Sequence, residues 1–489
     1  MKKRRFVCAL LVCALSLLAA CGAEETTNDV ETQPTDTSSD VETEPTRENT
    51  PDSLPDDLDF DGLPIRIVTR DQEINVTEIE TEQTGDIVDD AVYNRNRKVE
   101  ERLNIEIEHN ILDPDASQTA NQIRASVMAG SDDYDIVSTS QWTILPQAIE
   151  GIYTDLQDNK YVDLTQPWWW VDYIDELRIG EDSYYFLNGD LSLSSIQNMS
   201  CMFFNKPMME DMGTNPDDFY QLVLDGDWNY ELFNQYCTDA YRDVNGDSTY
   251  DENDVYGCYI RTNTEPDHFT YTANNIMTTR DSDGIPSLNV NNEHFVNYMQ
   301  DLYDLYYNNV GVYVTDDESQ MINRFAEDGS LFLVNRFVAA NSLREMNSEY
   351  GIVPFPKYDE TQEYSALVHD AAAIFAIPVT VSHYDEVSAS LEALCAESYR
   401  TVVPAYYEMA LKTKYMSDST SGIIIDMIKN AAKTDFVYAY NYALNGAGMI
   451  SRTMMTSKTP DFASNWAGIQ GGAEKGLTEL IELYEQLEG

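Results

Sequence analysis

Basic side chains are scarce in this chain. Of 489 residues only 30 are Lys or Arg, against 86 Asp or Glu, which gives a formal net charge of −56. Nucleic-acid binding needs a cationic face that displaces counterions from phosphate, so nucleic-acid partners are excluded. Anionic membrane surfaces are repelled on the same ground. Histidine is scarcer still: His109, His268, His294, His369 and His383 are the only five, and none stands in an H-E-x-x-H or at a spacing suited to zinc. No G-x-S-x-G elbow or phosphate-binding glycine loop occurs. Glycine (23) and proline (17) are too few for a collagenous or low-complexity chain, and no internal repeat is visible. What is present is 43% hydrophobic and 11% aromatic residues, with 32 Tyr. That content sustains a buried core, and the length suggests two or three domain-sized units.

The N-terminus reads as an address. Lys2, Lys3, Arg4 and Arg5 precede the apolar stretch Phe6 to Ala20, which is short for a membrane span and fits a secretory signal. It closes with Leu18-Ala19-Ala20-Cys21-Gly22, which resembles the lipobox of bacterial lipoproteins. Residues 1–20 are then the signal peptide and Cys21 the lipidated residue, a membrane anchor through acyl chains such as palmitate. No later stretch is apolar enough to span a membrane. Gly22 to Asp59 holds 13 acids and one Arg with almost no apolar side chains, so 21–59 reads as a disordered, self-repelling linker. Cys201, Cys237, Cys258 and Cys395 remain and allow three pairings. Cys237 and Cys258 flank a tight loop and are the favoured pair, with free buried thiols as the alternative.

From residue 60 the pattern alternates. Ile65 to Thr69 reads as a buried strand, Val88 to Leu103 as an amphipathic helix, Ile105 to Ile107 as a strand, Ala120 to Ala129 as a helix and Tyr134 to Val137 as a third strand. That order marks a parallel α/β unit, whose ligands bind beyond the carboxyl ends of the strands. Those ends offer Arg70, Asp71 and Gln72 after the first strand and Trp142 after the third. Further strands are expected at Ser200–Phe204, Gly329–Val334 and Ala371–Ile377, helices at Val296–Tyr307 and Glu474–Leu487.

One local motif points to a metal. Asp243, Asn245, Asp247, Thr249, Asp251 and Asp254 occupy positions 1, 3, 5, 7, 9 and 12 of an EF-hand-type loop, oxygen donors suited to Ca²⁺. Gly246 falls at position 4 and position 12 is Asp, which resembles the calcium loop of dockerins more than a sensor. A structural Ca²⁺ at 243–254 is the expectation, with a metal-free acidic turn as its alternative.

Several motifs together resemble the family 1 extracellular solute-binding proteins, the lipoprotein receptors of ABC sugar importers. They are Ala91-Val92-Tyr93-Asn94-Arg95-Asn96-Arg97-Lys98-Val99-Glu100-Glu101, Met128-Ala129-Gly130 leading to Tyr134-Asp135-Ile136-Val137, Leu164-Thr165-Gln166-Pro167-Trp168-Trp169, Phe204-Asn205-Lys206 and Gly351-Ile352-Val353-Pro354-Phe355-Pro356-Lys357. Their order spans most of residues 60–489.

The resemblance implies a two-lobe α/β periplasmic-binding-protein-like fold of type II, with a hinge and a ligand cleft between the lobes. Lobe one would be 60–190 plus 364–400 and lobe two 191–363 plus 401–489, with crossings near 190–195 and 369–370. Sugars need flat aromatic platforms and planar polar side chains. Trp168 and Trp169 in the three-Trp run, Asn188, Arg336, Phe337 and Asp370 therefore join Arg70, Asp71, Gln72 and Trp142 as ligand candidates. Trp228 reads as a packing residue. The implied function is a lipid-anchored, monomeric receptor on the outer face of the cell membrane, which binds an oligosaccharide without turnover and delivers it to the transmembrane subunits of an ABC permease. A glycosidase-like exported enzyme is the alternative, because paired carboxylates leave no local signature.

Overall fold

Ile65, Ile67 and Val68 form an apolar run buried on both faces, the pattern of a strand inside a parallel sheet, and Leu63–Arg70 is β1. Its neighbours are β2 (Ile105–Leu112), in register from Leu63 opposite Ile105 to Arg70 opposite Leu112, and β3 (Ile136–Ser140), both parallel to it. A late segment, β12 (Ala373–Ala376), joins antiparallel to β3 with Ala373 opposite Ser140, which gives the order β12-β3-β1-β2. The intervening chain builds a second sheet from β4 (Ser200–Asn205), β5 (Tyr256–Arg261), β8 (Val312–Thr315), β9 (Ser330–Arg336) and β10 (Tyr350–Val353), ordered β10-β4-β9-β5-β8. Two small ribbons complete the strands: β6 (Thr278–Arg280) with β7 (Pro286–Leu288), and β11 (Ala366–Leu367) with β13 (Ala432–Lys433). This computed structural model describes residues 46–157, 159–181, 183–412 and 419–488. The signal segment, Cys21 and the linker as far as residue 45 lie outside them. Residues 45–489 pack as one unit.

The two sheets are the cores of two lobes, and the α/β class expected from the sequence is what forms. The chain passes from the first sheet to the second through 190–199 and returns through 368–372. The two passages are stitched side by side. His369 N donates to Asn198 O (3.0 Å) and Ala373 N to Ser194 Oγ (3.0 Å). Asn188 Nδ2 (2.9 Å) and Ser192 Oγ (2.8 Å) both donate to Ala373 O.

Caps explain where helices differ from the sequence expectation. Asp115 accepts from Ser117 N and Gln118 N (3.0 Å each), so the helix expected from Ala120 starts at Ala116 and runs to Met128. Asp86 begins the helix Ile87–Leu103, and Asn104 ends it at φ 49°. The C-terminal helix runs from Phe462 to Glu488, twelve residues longer at its start than expected, because Phe462 and Trp466 stack and are buried.

Two organisational expectations are corrected. The linker is not free as far as residue 59. Leu54 is buried, and Asp52 accepts from Arg102 Nη1 (2.7 Å) and Nη2 (2.8 Å) and from Arg400 Nη2 (2.8 Å), so 46–59 is strapped onto the fold. Nor does all of 401–489 go with the second lobe. Tyr384–Glu397 continues through a π-helical turn, Ser398–Val402, into the helix Val403–Lys412, which stays packed on Ile87–Leu103 of the first lobe. The next helix, Ser419–Asn430, is the one that packs against β10 of the second lobe after this stretch.

Candidate functional site

Topology alone brings one set of polar residues together. β1 and β3 are parallel, so they end at a common edge, with Arg70 closing one and Gln141-Trp142 following the other. β12 is antiparallel and therefore starts at that edge, which brings in Asp370. In the second sheet β5 and β9 end at Arg261 and Arg336, where antiparallel β4 begins opposite Arg336 at Ser200. The His369–Asn198 hydrogen bond joins the two edges. Beyond β5 the helix Glu265–Thr272 is buried along its whole length and adds Asp267 and His268.

Many polar atoms here have no protein partner. Arg70 is 8% exposed. Its Nη2 donates to Gln72 Oε1 (2.5 Å), while its Nε is buried and unpartnered. Gln141 Oε1 accepts from Tyr173 OH (3.1 Å) but its Nε2 has nothing, and neither has Trp142 Nε1. His268 is fully buried with both ring nitrogens unpartnered, its ring 6.1 Å from that of His369. Asp370 Oδ1 lies 3.0 Å from His369 Nδ1, and Oδ2 is unpartnered. A buried group left this way costs about 1–3 kcal/mol, so a cluster of them calls for a polar occupant.

The charges are held as pairs around that cluster. Arg336 Nη1 donates to Asn198 Oδ1 (2.9 Å) and Nη2 to Glu318 (3.2 Å). Arg261 pairs with Glu265 and Glu318 (2.8 Å each), and Arg452 with Asp267. Burial pushes the His268 and His369 imidazoles below their ordinary range; His268 then offers a neutral donor and acceptor, while His369 Nδ1 already accepts from Ala371 N (3.1 Å). Burial alone would raise Asp370, but His369, Arg452 and Arg336 more than reverse it and keep it an acceptor. Trp142 meets Tyr442 edge-on at 5.0 Å, and Tyr442 is 71% exposed. Together with Arg70, Asp115 and Asn121 these rings line a groove of about 560 Å³, so that Arg70 and Trp142 of the cluster face it. Buried donors and acceptors beside flat rings can hold a polyhydroxylated ligand with both C–H faces and hydroxyl edges. A larger groove of about 750 Å³ between Tyr230–Ala240 and Glu293–Tyr307 holds none of these unpartnered groups.

Of the residues expected from sequence, Arg70, Trp142, Arg336 and Asp370 come together here. Gln72 supports Arg70, and Asp71 is exposed. The others do not join them. Trp168 and Trp169 are core residues: their indole nitrogens donate to Glu392 Oε1 (3.1 Å) and Oε2 (2.9 Å) on the buried helix Tyr384–Glu397. Asn188 is fully buried and clamps the passage between lobes, and Phe337 is core at 1% exposure. Trp228, read as packing, donates to Pro354 O (3.0 Å) inside the second lobe. Asp267, His268, Gln141 and Arg452 were missed. They carry no local motif, and only the two-sheet topology assembles them.

The loop 243–254 is closed at its base by paired backbone bonds between Arg242 and Val255 (2.9 and 3.1 Å). Asp243 accepts from Gly246 N (2.6 Å) and Ser248 N (2.9 Å), Asn245 from Asp247 N (3.0 Å) and Asp247 from Thr249 N (2.7 Å). Among the described residues no three Asp, Glu, His or Cys side chains already stand at metal-cage spacing. Cys201, Cys237, Cys258 and Cys395 are buried free thiols, with Cys237 and Cys258 Sγ 3.9 Å apart.

No protein-family model and no curated protein matches the chain. Solved structures do match its fold. The maltose/maltodextrin-binding domain MalE of Bdellovibrio bacteriovorus, bound to maltotriose, is 15% identical, covers 87% of this chain and 99% of its own, and gives a TM-score of 0.50. The GacH receptor of Streptomyces glaucescens, solved unliganded and with acarbose, gives 12%, 87%, 99% and 0.55. UgpB of Mycobacterium tuberculosis, in complex with glycerophosphocholine, gives 14%, 85%, 99% and 0.57. At these identities the likeness establishes the fold, the two-lobed type II periplasmic-binding-protein architecture.

Proposed function

We propose that this protein is an exported solute receptor that takes an oligosaccharide into the cleft between its two lobes and passes it to the transmembrane subunits of an ABC permease. The observation that carries the reading is the set of unpartnered buried donors and acceptors that the strand ends of both lobes supply, Arg70, Gln141, Trp142, His268 and Asp370, of which Arg70 and Trp142 also line a groove with Tyr442. Sugar hydroxyls satisfy such groups, and hinge closure brings the two half-sites together. Proteins of the same fold bound to maltotriose and acarbose support the ligand class. Lipid attachment at Cys21 belongs to this reading, with a monomeric globule held outside the membrane. No helix among the described residues is long and apolar enough to cross a membrane.

Binding is reversible and without turnover. The enzyme alternative needs a carboxylic acid free to protonate a leaving group. In this cleft Asp267 is closed off by Arg452 and, at 3.4 Å, by Ser451, and Asp370, which keeps a free oxygen, is held ionised by His369, Arg452 and Arg336.

The test is a thermal-shift screen of residues 45–489 against oligosaccharides, peptides and polyamines. A ligand that binds only the folded state stabilises it by about 2.7 kcal/mol at a hundredfold excess over Kd. A shift with oligosaccharides, recovered intact, is expected. A shift with peptides or polyamines alone would remove the sugar, and consumption of the sugar would put hydrolysis in place of transport.

A further inference from the structure

We propose that the loop 243–254 is a Ca²⁺ site that pins the start of β5, independent of the ligand in the cleft. The acidic sequence of the loop would not carry this alone. What adds to it is Asp254, the last oxygen donor of the pattern and a fully buried residue. Its Oδ2 accepts from Tyr241 OH (3.1 Å), while its Oδ1 is shut off from solvent and has no protein partner. A buried carboxylate oxygen in that condition is costly in a metal-free protein and is satisfied by a cation.

Among the described residues no Lys, Arg or His stands at ion-pair distance from the Asp254 carboxylate. Arg324 approaches Asp254 through the backbone oxygen (Nη2 to O, 2.9 Å) and leaves the carboxylate alone. Arg242 faces Val255 through its backbone. The donors needed are hard oxygens, which suits Ca²⁺ over a transition metal. Asp243, Asn245 and Asp247 supply side-chain oxygens at the first three positions, and Thr249 supplies its backbone carbonyl at the fourth. Gly246 at φ 74° and Ser248 at φ 59° take the left-handed backbone that folds the chain around such a centre. The carboxylates do not yet stand at cage spacing, so the ion would draw Asp247 and Asp251 inward. Affinity in the weak range of extracellular modules, about 10⁻⁴–10⁻³ M, is the expectation.

The structural consequence lies in the strand. Tyr256 begins β5 two residues after Asp254, and β5 ends at Arg261 in the cleft wall. A cation at Asp254 fixes the far end of that strand and acts on the stability of the second lobe. The loop stands at the opposite end of β5 from Arg261 and is not itself a ligand contact.

The experiment titrates Ca²⁺ and Tb³⁺ into the full chain, purified in mild detergent and stripped with chelator. Tyr241 and Tyr250 lie 5.1 Å apart over the loop, so terbium at the site is excited through tyrosine. One saturable equivalent is expected, displaced by Ca²⁺, together with a Ca²⁺-dependent rise in Tm that Mg²⁺ does not reproduce. Asp243→Asn, at a half-buried position, should weaken terbium binding at least tenfold and lower the chelated Tm far less than the Ca²⁺-loaded Tm. Asp254→Asn should abolish the Ca²⁺-dependent rise yet be no less stable than the parent in chelator, because the orphaned oxygen loses its charge. Absence of saturable binding would overturn the proposal. So would unchanged affinity in Asp243→Asn, or an Asp254→Asn chain destabilised equally with and without Ca²⁺, which would mark Asp254 as an ordinary packing residue.

Discussion

The strap formed by residues 46–59 sets where a folding unit of this protein begins, and its strength follows from one carboxylate. The side chain of Asp52 is 3% exposed and receives two hydrogen bonds from Arg102 and one from Arg400. Burial by itself would raise its pKa. The two guanidinium groups overturn that and hold it at about 2, against 3.8 for a free Asp. By linkage that depression is worth about 2.4 kcal/mol at neutral pH. Arg102 keeps 29% of its surface in water, and screening brings the figure to roughly 1–2 kcal/mol. Leu54, at 6% exposure, adds about 1.5 kcal/mol of apolar burial. Asp52→Asn should therefore lower stability by about 1–2 kcal/mol at pH 7, and starting the chain at residue 60 by about 3 kcal/mol. The pH dependence has a definite sign. The folded pKa is depressed, so the contribution is whole above pH 4 and disappears as pH falls toward 2. Urea unfolding of 45–489, its Asp52→Asn variant and 60–489, followed by tryptophan fluorescence at pH 7, 5 and 3, measures all of this. Equal stability of the three chains at pH 7, or a variant deficit as large at pH 3 as at pH 7, would refute the strap.

Glu392 makes the opposite prediction. Burial pushes it up to about 8, with the indole donors Trp169 and Trp168 pulling the other way. The folded state then holds the proton more tightly than the unfolded state, so ionisation erodes stability as pH rises from about 4.5 to about 8. Glu392→Gln should remove that slope, and parallel pH–stability curves for parent and variant would refute it. Trp168→Ala, which empties a fully buried indole site, should lower stability by about 3–5 kcal/mol. Titration calorimetry at low temperature should then find the same saccharide preference as in the parent. A changed preference would return Trp168 to the ligand site.

The architecture was legible because it rests on periodicity. β1, β2 and β3 alternate with helices whose caps, Asp86 and Asp115, are written next to them, and the return of Ala371–Ile377 as a strand could be read locally. The residues at strand ends were legible on the same basis, since a parallel sheet sends Arg70 and Trp142 to one edge whatever the side chains are. The three-Trp run misled for a physical reason. A Trp is large and amphipathic, and composition alone does not say whether its N–H meets a ligand or a buried acid. Here Glu392, more than two hundred residues later, receives two of the three. The linker misled because its composition is that of a disordered chain, yet one carboxylate and one leucine suffice to strap its last part when two arginines and an apolar site await them. Asp267, His268 and Arg452 had no signal at all, because what makes them a site is the meeting of β5, the passage at 369–370 and a helix near the C-terminus.

The scarcity of cations gives the site its sharpest definition. Buried acids attract the nearest basic residue, and with 86 acids against 30 bases few basic residues near the interior should remain uncommitted. Most interior arginines follow that pattern, and Arg95 and Arg280, which have no carboxylate at ion-pair distance among the described residues, are held by backbone carbonyls instead. Arg66 is committed to Asp132 and Asp135, Arg102 and Arg400 to Asp52, Arg261 to Glu265 and Glu318, Arg336 to Glu318, and Arg452 to Asp267. Arg70 departs from the pattern. It is buried, no carboxylate stands within ion-pair distance of it among the described residues, its only side-chain partner there is Gln72, and its Nε points at nothing in the protein. Burial already disfavours its charge, with Asp370 and Asp115 offsetting only part of that. A guanidinium kept this way in so acidic a chain is stabilised when a ligand supplies the missing acceptors. The unpartnered oxygen of Asp370 is its counterpart, an acceptor that lacks a donor. A sugar ring carries hydroxyls that both donate and accept, so a single occupant can satisfy both.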